Sequence, residues 1–62
     1  MSGKLYVGLD VGGTAIKAGV CSEDGNLLHT FEGPTENEKG SDRVLANMAK
    51  YARTVVDEMS AS

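Results

Sequence analysis

The hydrophobic pattern of this chain changes its period once, and that change constrains the fold more than any other feature. From residue 4 to residue 32 apolar residues alternate with polar or small ones, and from residue 42 onward they recur every three or four positions. Alternation sends side chains to opposite faces of a strand, whereas the longer period lines them along one side of a helix. Residues 4–10, KLYVGLD, put Leu5, Val7 and Leu9 on one face and Tyr6, Gly8 and Asp10 on the other, the pattern of a half-buried strand. A second strand is expected over about 14–21, with Ile16, Ala18 and Val20 sharing a face and Lys17 and Gly19 opposite. A third is expected over about 27–32, LLHTFE. Short connections require antiparallel neighbours, and the Asp24-Gly25 pair is a strong hairpin signal because glycine supplies the positive φ of such turns.

Residues 33–41, GPTENEKGS, read as a polar loop. The helical stripe follows over about 42–59: Leu45, Met48, Ala52, Val55 and Met59, widened by Val44 and Val56. Ser41 or Asp42 is the expected N-cap. Tyr51 lies off this stripe and is expected to be partly exposed. The stripe covers fewer than three heptads, so it suits docking on its own sheet better than a coiled coil. The expected architecture is α/β: a three-stranded antiparallel meander followed by one amphipathic helix.

The chain has 62 residues, few enough that its stability is marginal without an added staple. Cys21 is the only cysteine, so no internal disulfide forms, and one Cys with one His, His29, does not make a structural zinc site. Net charge is −3 and the six Lys and Arg are scattered, which argues against nucleic acid and anionic membrane as partners. No apolar run is long enough to span a membrane and no signal peptide is evident, so the expected location is cytoplasmic. The closing MSAS carries no helix stop signal, which reads as a fold that continues. Cys21 reads as a small packed residue and His29 as a surface or edge residue.

Between the first two strands lies GLDVGGT, residues 8–14. Its glycines weaken a strand but let backbone N–H groups approach an anion, and turns of this kind form anion-binding nests. Gly12, Gly13 and Thr14 are candidate phosphate contacts, Lys17 adds an ammonium, and Asp10 suits a Mg²⁺ ion accompanying the phosphates. Two other phosphate loops are excluded. Gly8 and Gly13 have the Walker A spacing but Thr14 stands where lysine is required, and no G-x-G-x-x-G run occurs.

The stretch LDVGGTAIKAGVCSEDGNLL resembles the opening of sugar kinases of the ROK family (repressors, open reading frames and kinases). That family belongs to the superfamily of sugar kinases, actin and heat-shock chaperone ATPases, whose nucleotide-binding lobes have a ribonuclease-H-like, actin-type fold. Asp10, Gly12, Gly13 and Thr14 match its D-x-G-G-T, Lys17 matches a common basic position three residues later, and Asp24-Gly25 matches the turn before the third strand. Pro34-Thr35 ahead of an amphipathic helix also fits. The likeness is strong over 7–28 and loose beyond. It implies that residues 1–62 are one incomplete N-terminal lobe, in which the hairpin embraces the β- and γ-phosphates of ATP and Asp10 lies near Mg²⁺. The implied partners of the complete protein are ATP and a hexose.

The family's catalytic aspartate, its Cys-rich zinc motif and its sugar-contacting His and Glu lie further along than residue 62, so this chain holds no catalytic residue of its own and no sugar kinase turnover is expected from it alone. The alternatives are a fragment of a ROK-type sugar-responsive regulator, another ATPase of the superfamily, or a small standalone interaction domain without catalytic activity. A regulator would place a helix-turn-helix ahead of the first strand, where only a few residues stand here. A meander with one helix leaves a sheet edge uncovered, so self-association is also expected.

Overall fold

The computed structural model describes residues 4–61. Three strands, β1 (Leu5–Val11), β2 (Ala15–Ser22) and β3 (Leu27–Pro34), lead through a one-turn 3-10 helix at Asn37–Lys39 into a single α-helix, α1 (Ser41–Ala61). The sheet is antiparallel in the order β1-β2-β3, the expected meander. Boundaries move by one or two residues, and β3 takes in Gly33 and Pro34 from what reads as loop. Gly25 adopts φ 90°, and its N–H donates to the Ser22 carbonyl at 2.9 Å, so the Asp24-Gly25 turn forms as its chemistry requires.

The central strand makes the core. Ile16, Ala18 and Val20 are buried against Tyr51 and Val55 of α1, with Phe31, Val44, Met48 and Met59 packed around them. Two expectations from periodicity fail here. Leu45, at the head of the expected stripe, is 62% exposed, and Val56 is 41% exposed. Tyr51 is buried, 5% exposed, although it lies off that stripe. The docked face of α1 is Asn47, Tyr51 and Val55, spaced by four. The slot that admits Tyr51 is cut by a glycine: a Cβ built on Gly33 would stand 2.6 Å from the Tyr51 Cζ. The Tyr51 hydroxyl donates to the Pro34 carbonyl at 2.7 Å, and its ring meets Phe31 at a centroid distance of 5.4 Å.

The half-buried pattern expected of β1 is absent: all seven residues are exposed. Register places Val7, Leu9 and Val11 across from Val20, Ala18 and Ile16, so their side chains lie on the helix side of the sheet. The helix nevertheless lies chiefly over β2 and β3. The edge strand keeps its apolar face open beside a groove of about 330 Å³ lined by Leu5, Val7, Val20, Val56 and Met59. The expected N-cap also shifts. Val44 N–H donates to the Gly40 carbonyl, which puts Gly40 in the cap position and Ser41 and Asp42 in the first turn. No described helix is long and apolar enough to cross a membrane. Ser62, the last residue of MSAS, lies outside the described residues.

Candidate functional site: the Gly12–Thr14 turn

The turn between β1 and β2 is closed by the Gly12 N–H, which donates to the Ala15 carbonyl at 2.8 Å. Neither Gly12 nor Gly13 has a positive φ. That excludes the primed hairpin turns, which need one. The two glycines are therefore not there to supply left-handed backbone. Gly12 answers to close approach, since its Cβ would stand 3.1 Å from the Ala15 carbonyl oxygen. A Cβ on Gly13 would meet nothing within 4 Å, so the fold makes no demand for glycine at that position. The N–H groups of Gly13 and Thr14 and the Thr14 hydroxyl make no hydrogen bond among the described residues. All three residues are exposed. An anion approaching this end of the hairpin meets unshielded donors.

Asp10 and Lys17 are directly paired across β1 and β2, and Glu32 faces Lys17 from β3. Paired residues share a face of the sheet, here the face opposite α1. None of these charges enters an ion pair among the described residues. Asp10, Lys17, Gly8, Gly19 and Thr30 line a shallow depression of about 280 Å³. The Asp10–Lys17 pair stands two residues back from Gly12, about 7 Å along the strand, within reach of a flexible lysine stem. Sequence reasoning did not find Glu32 as the second carboxylate of this row, because its partner is set by the β2–β3 register.

Among the described residues no group of three or more His, Cys, Asp or Glu gathers to hold a metal ion. Asp10 is the only carboxylate on the strand leading into the turn. The donor set does not fit an all-protein cage, and it fits a Mg²⁺ ion that brings most of its ligands as phosphate and water.

Behind the turn stands a second group of residues that sequence reasoning did not assign a role. Thr35 is 2% exposed. Its hydroxyl donates to the Gly12 carbonyl at 2.8 Å, and its N–H donates to the Thr14 carbonyl at 3.0 Å. Asn47 of α1, also buried, donates from Nδ2 to the Thr35 carbonyl at 3.0 Å and to Glu36 Oε1 at 2.8 Å, with a longer contact to the Pro34 carbonyl. Glu36 adopts φ 61°, a left-handed conformation unusual for a non-glycine residue. Its carboxylate accepts from Asn47, Lys39 and Arg43. Those hydrogen bonds, Asn47's first, lower its pKa from 4.5 to about 2. The one sequence signal for this group was a polar residue, Asn47, set four residues before Tyr51 and eight before Val55 on a helix otherwise apolar along that line. His29 lies at the other end of the molecule, where Nε2 meets Glu58 Oε1 at 2.8 Å.

Among curated proteins the chain is similar to glucokinases over short segments. A glucokinase of Halalkalibacterium halodurans is 39% identical over 49 residues, 79% of this chain and 15% of that protein. A glucokinase of Streptomyces coelicolor is 55% identical over 31 residues, 50% of this chain and 10% of that protein. An uncharacterized protein of Clostridium perfringens is 53% identical over 36 residues, 58% of this chain and 12% of its own length. The chain thus spans only 10–15% of the length of these relatives. No family model matches, and no solved structure matches significantly. These partial similarities support a sugar-kinase-like relationship.

Proposed function

We propose that this chain is the first phosphate-binding segment of an ATP-dependent sugar kinase, a phosphotransferase acting on a hexose hydroxyl. The observation that carries the reading is the Gly12–Thr14 turn. It presents uncommitted N–H groups, and its second glycine answers to no packing or backbone requirement of the fold. The partial likeness to glucokinases supports the same reading.

In it, the N–H groups of Gly12–Thr14 border the β- and γ-phosphates of ATP, with Gly13 and Thr14 donating. The Thr14 hydroxyl adds a donor, and the Lys17 ammonium neutralises phosphate charge from the face of the sheet. Asp10 faces the Mg²⁺ that accompanies the nucleotide, which when bound offsets charge on the phosphate oxygens. Phosphoryl transfer depends on positioning and charge stabilisation, and this segment supplies part of each. The sugar pocket and the base that accepts the hydroxyl proton belong to the remainder of the kinase.

The test is a titration of the ¹⁵N-labelled chain with Mg·ATP. Saturable shifts are expected at Gly13 and Thr14, and Lys17→Ala weakens them. Shifts absent there at millimolar nucleotide, or equally large in Lys17→Ala, refute the assignment.

A further inference from the structure

We infer that Thr35 is a positioning residue for the turn, and that α1 sets its position through Asn47. The inference rests on the phosphate reading only for the ligand involved; the geometry stands without it. A peptide unit is planar and trans, so its N–H points opposite to its C=O. The Gly12 carbonyl and the Gly13 N–H belong to one such unit. By donating to the Gly12 carbonyl at 2.8 Å from its buried side, the Thr35 hydroxyl turns the Gly13 N–H away from the protein. The second bond, Thr35 N–H to the Thr14 carbonyl at 3.0 Å, fixes the far end of the turn against the same residue. One residue thus holds both flanks of a two-residue tip.

Thr35 is itself held from the helix. The Asn47 amide donates to the Thr35 carbonyl, and the Tyr51 hydroxyl donates to the preceding carbonyl of Pro34. Both helix residues are buried. The path from α1 to the turn is short: Asn47, the Thr35 backbone, the Thr35 hydroxyl, then the Gly12–Gly13 peptide plane. A glycine pair with no side chains has no other means of fixing that plane, since glycine is the least restrained residue. The aim of the Gly13 N–H is therefore a property of Thr35 and α1 more than of the glycines.

The test compares the wild-type chain with Thr35→Val, which keeps the shape and loses the donor, and Thr35→Ser, which keeps the donor. Without ligand, Thr35→Val is expected to move or broaden the Gly13 amide resonance while Ile16 and Val55 in the core stay in place, and Thr35→Ser is expected to restore it. With Mg·ATP, Thr35→Val is expected to raise Kd about five- to tenfold, the factor that one ordinary hydrogen bond corresponds to. An unchanged Gly13 resonance together with unchanged affinity overturns the inference. If the wild type binds no Mg·ATP but the Gly13 resonance still moves in Thr35→Val and returns in Thr35→Ser, the phosphate reading fails and the positioning role stands. If Thr35→Val does not fold, the wild-type hydroxyl decides. A slowly exchanging Thr35 hydroxyl proton with a scalar coupling across the hydrogen bond to the Gly12 carbonyl carbon supports the inference, and fast exchange without that coupling overturns it.

Discussion

Replacing Gly33 with alanine tests the central packing claim, because two opposing effects must be weighed. In a strand interior, Gly→Ala is ordinarily favourable by about 0.5–1 kcal/mol, since alanine loses less backbone entropy. At Gly33 the new Cβ would stand 2.6 Å from the Tyr51 Cζ, 2.9 Å from its hydroxyl oxygen and 3.0 Å from Cε1. Carbon atoms pack best at about 3.5–4.0 Å, so the ring must retreat by about 1 Å. It has little room: the hydroxyl is tied to the Pro34 carbonyl at 2.7 Å and the ring leans on Phe31. Retreat breaks that hydrogen bond, worth about 1 kcal/mol, and adds overpacking strain of about 1–3 kcal/mol. After the entropic gain the net loss is about 1–3 kcal/mol, out of a total of about 3–9 kcal/mol for a chain of this length. Thermal and urea unfolding followed by far-ultraviolet circular dichroism reads this directly, and a loss near 2 kcal/mol lowers Tm by about 8–16 °C. Gly8→Ala is the control, because its Cβ meets nothing within 4 Å, and it should leave stability unchanged or slightly raised. Leucine at 51 lacks all three clashing atoms, so in a Tyr51→Leu background Gly33→Ala should cost almost nothing. If Gly33→Ala is neutral in the wild type, or equally costly in both backgrounds, the account of the Gly33 slot is wrong.

Two further outcomes follow from the geometry. Glu36 has its pKa lowered from 4.5 to about 2 by Asn47, Lys39 and Arg43, so it stabilises the fold above pH 4.5 and that contribution is lost as pH falls from 4.5 toward 2; urea unfolding across this range should show the loss, and Glu36→Gln should flatten it. The β1 edge exposes Leu5, Val7, Leu9 and Val11 beside a groove, so the chain should self-associate with concentration in sedimentation equilibrium, and Val7→Glu should reduce the association; a monomer at every concentration refutes this.

The candidate site was legible where its chemistry is local. Asp10, Gly12, Gly13, Thr14 and Lys17 lie within eight consecutive residues, and strand alternation alone puts Asp10 and Lys17 on one face once the hairpin is accepted. The residues behind the turn were not legible as a group. Thr35 reaches Gly12 across 23 positions and Asn47 reaches Thr35 across 12, and nothing in periodicity links residues so far apart. The backbone of Gly12 and Gly13, which carries no positive φ, was not legible for a related reason: adjacent glycines permit a positive φ without requiring one.

Element type and order could be read directly from the chain, because side-chain direction along a strand or helix repeats locally and the period changes only once. Which surfaces those elements bury depended on how they came together. Leucine outranks tyrosine on any scale of burial, yet Leu45 is exposed and Tyr51 is not, because the missing side chain of Gly33 opens a slot for the ring and the Pro34 carbonyl pairs its hydroxyl. The same docking sets α1 chiefly over β2 and β3 and leaves the residues of β1 exposed, although β1 has an alternation as regular as that of β2. The local pattern sorts residues by face, and burial is assigned only when a second element arrives with the complementary shape.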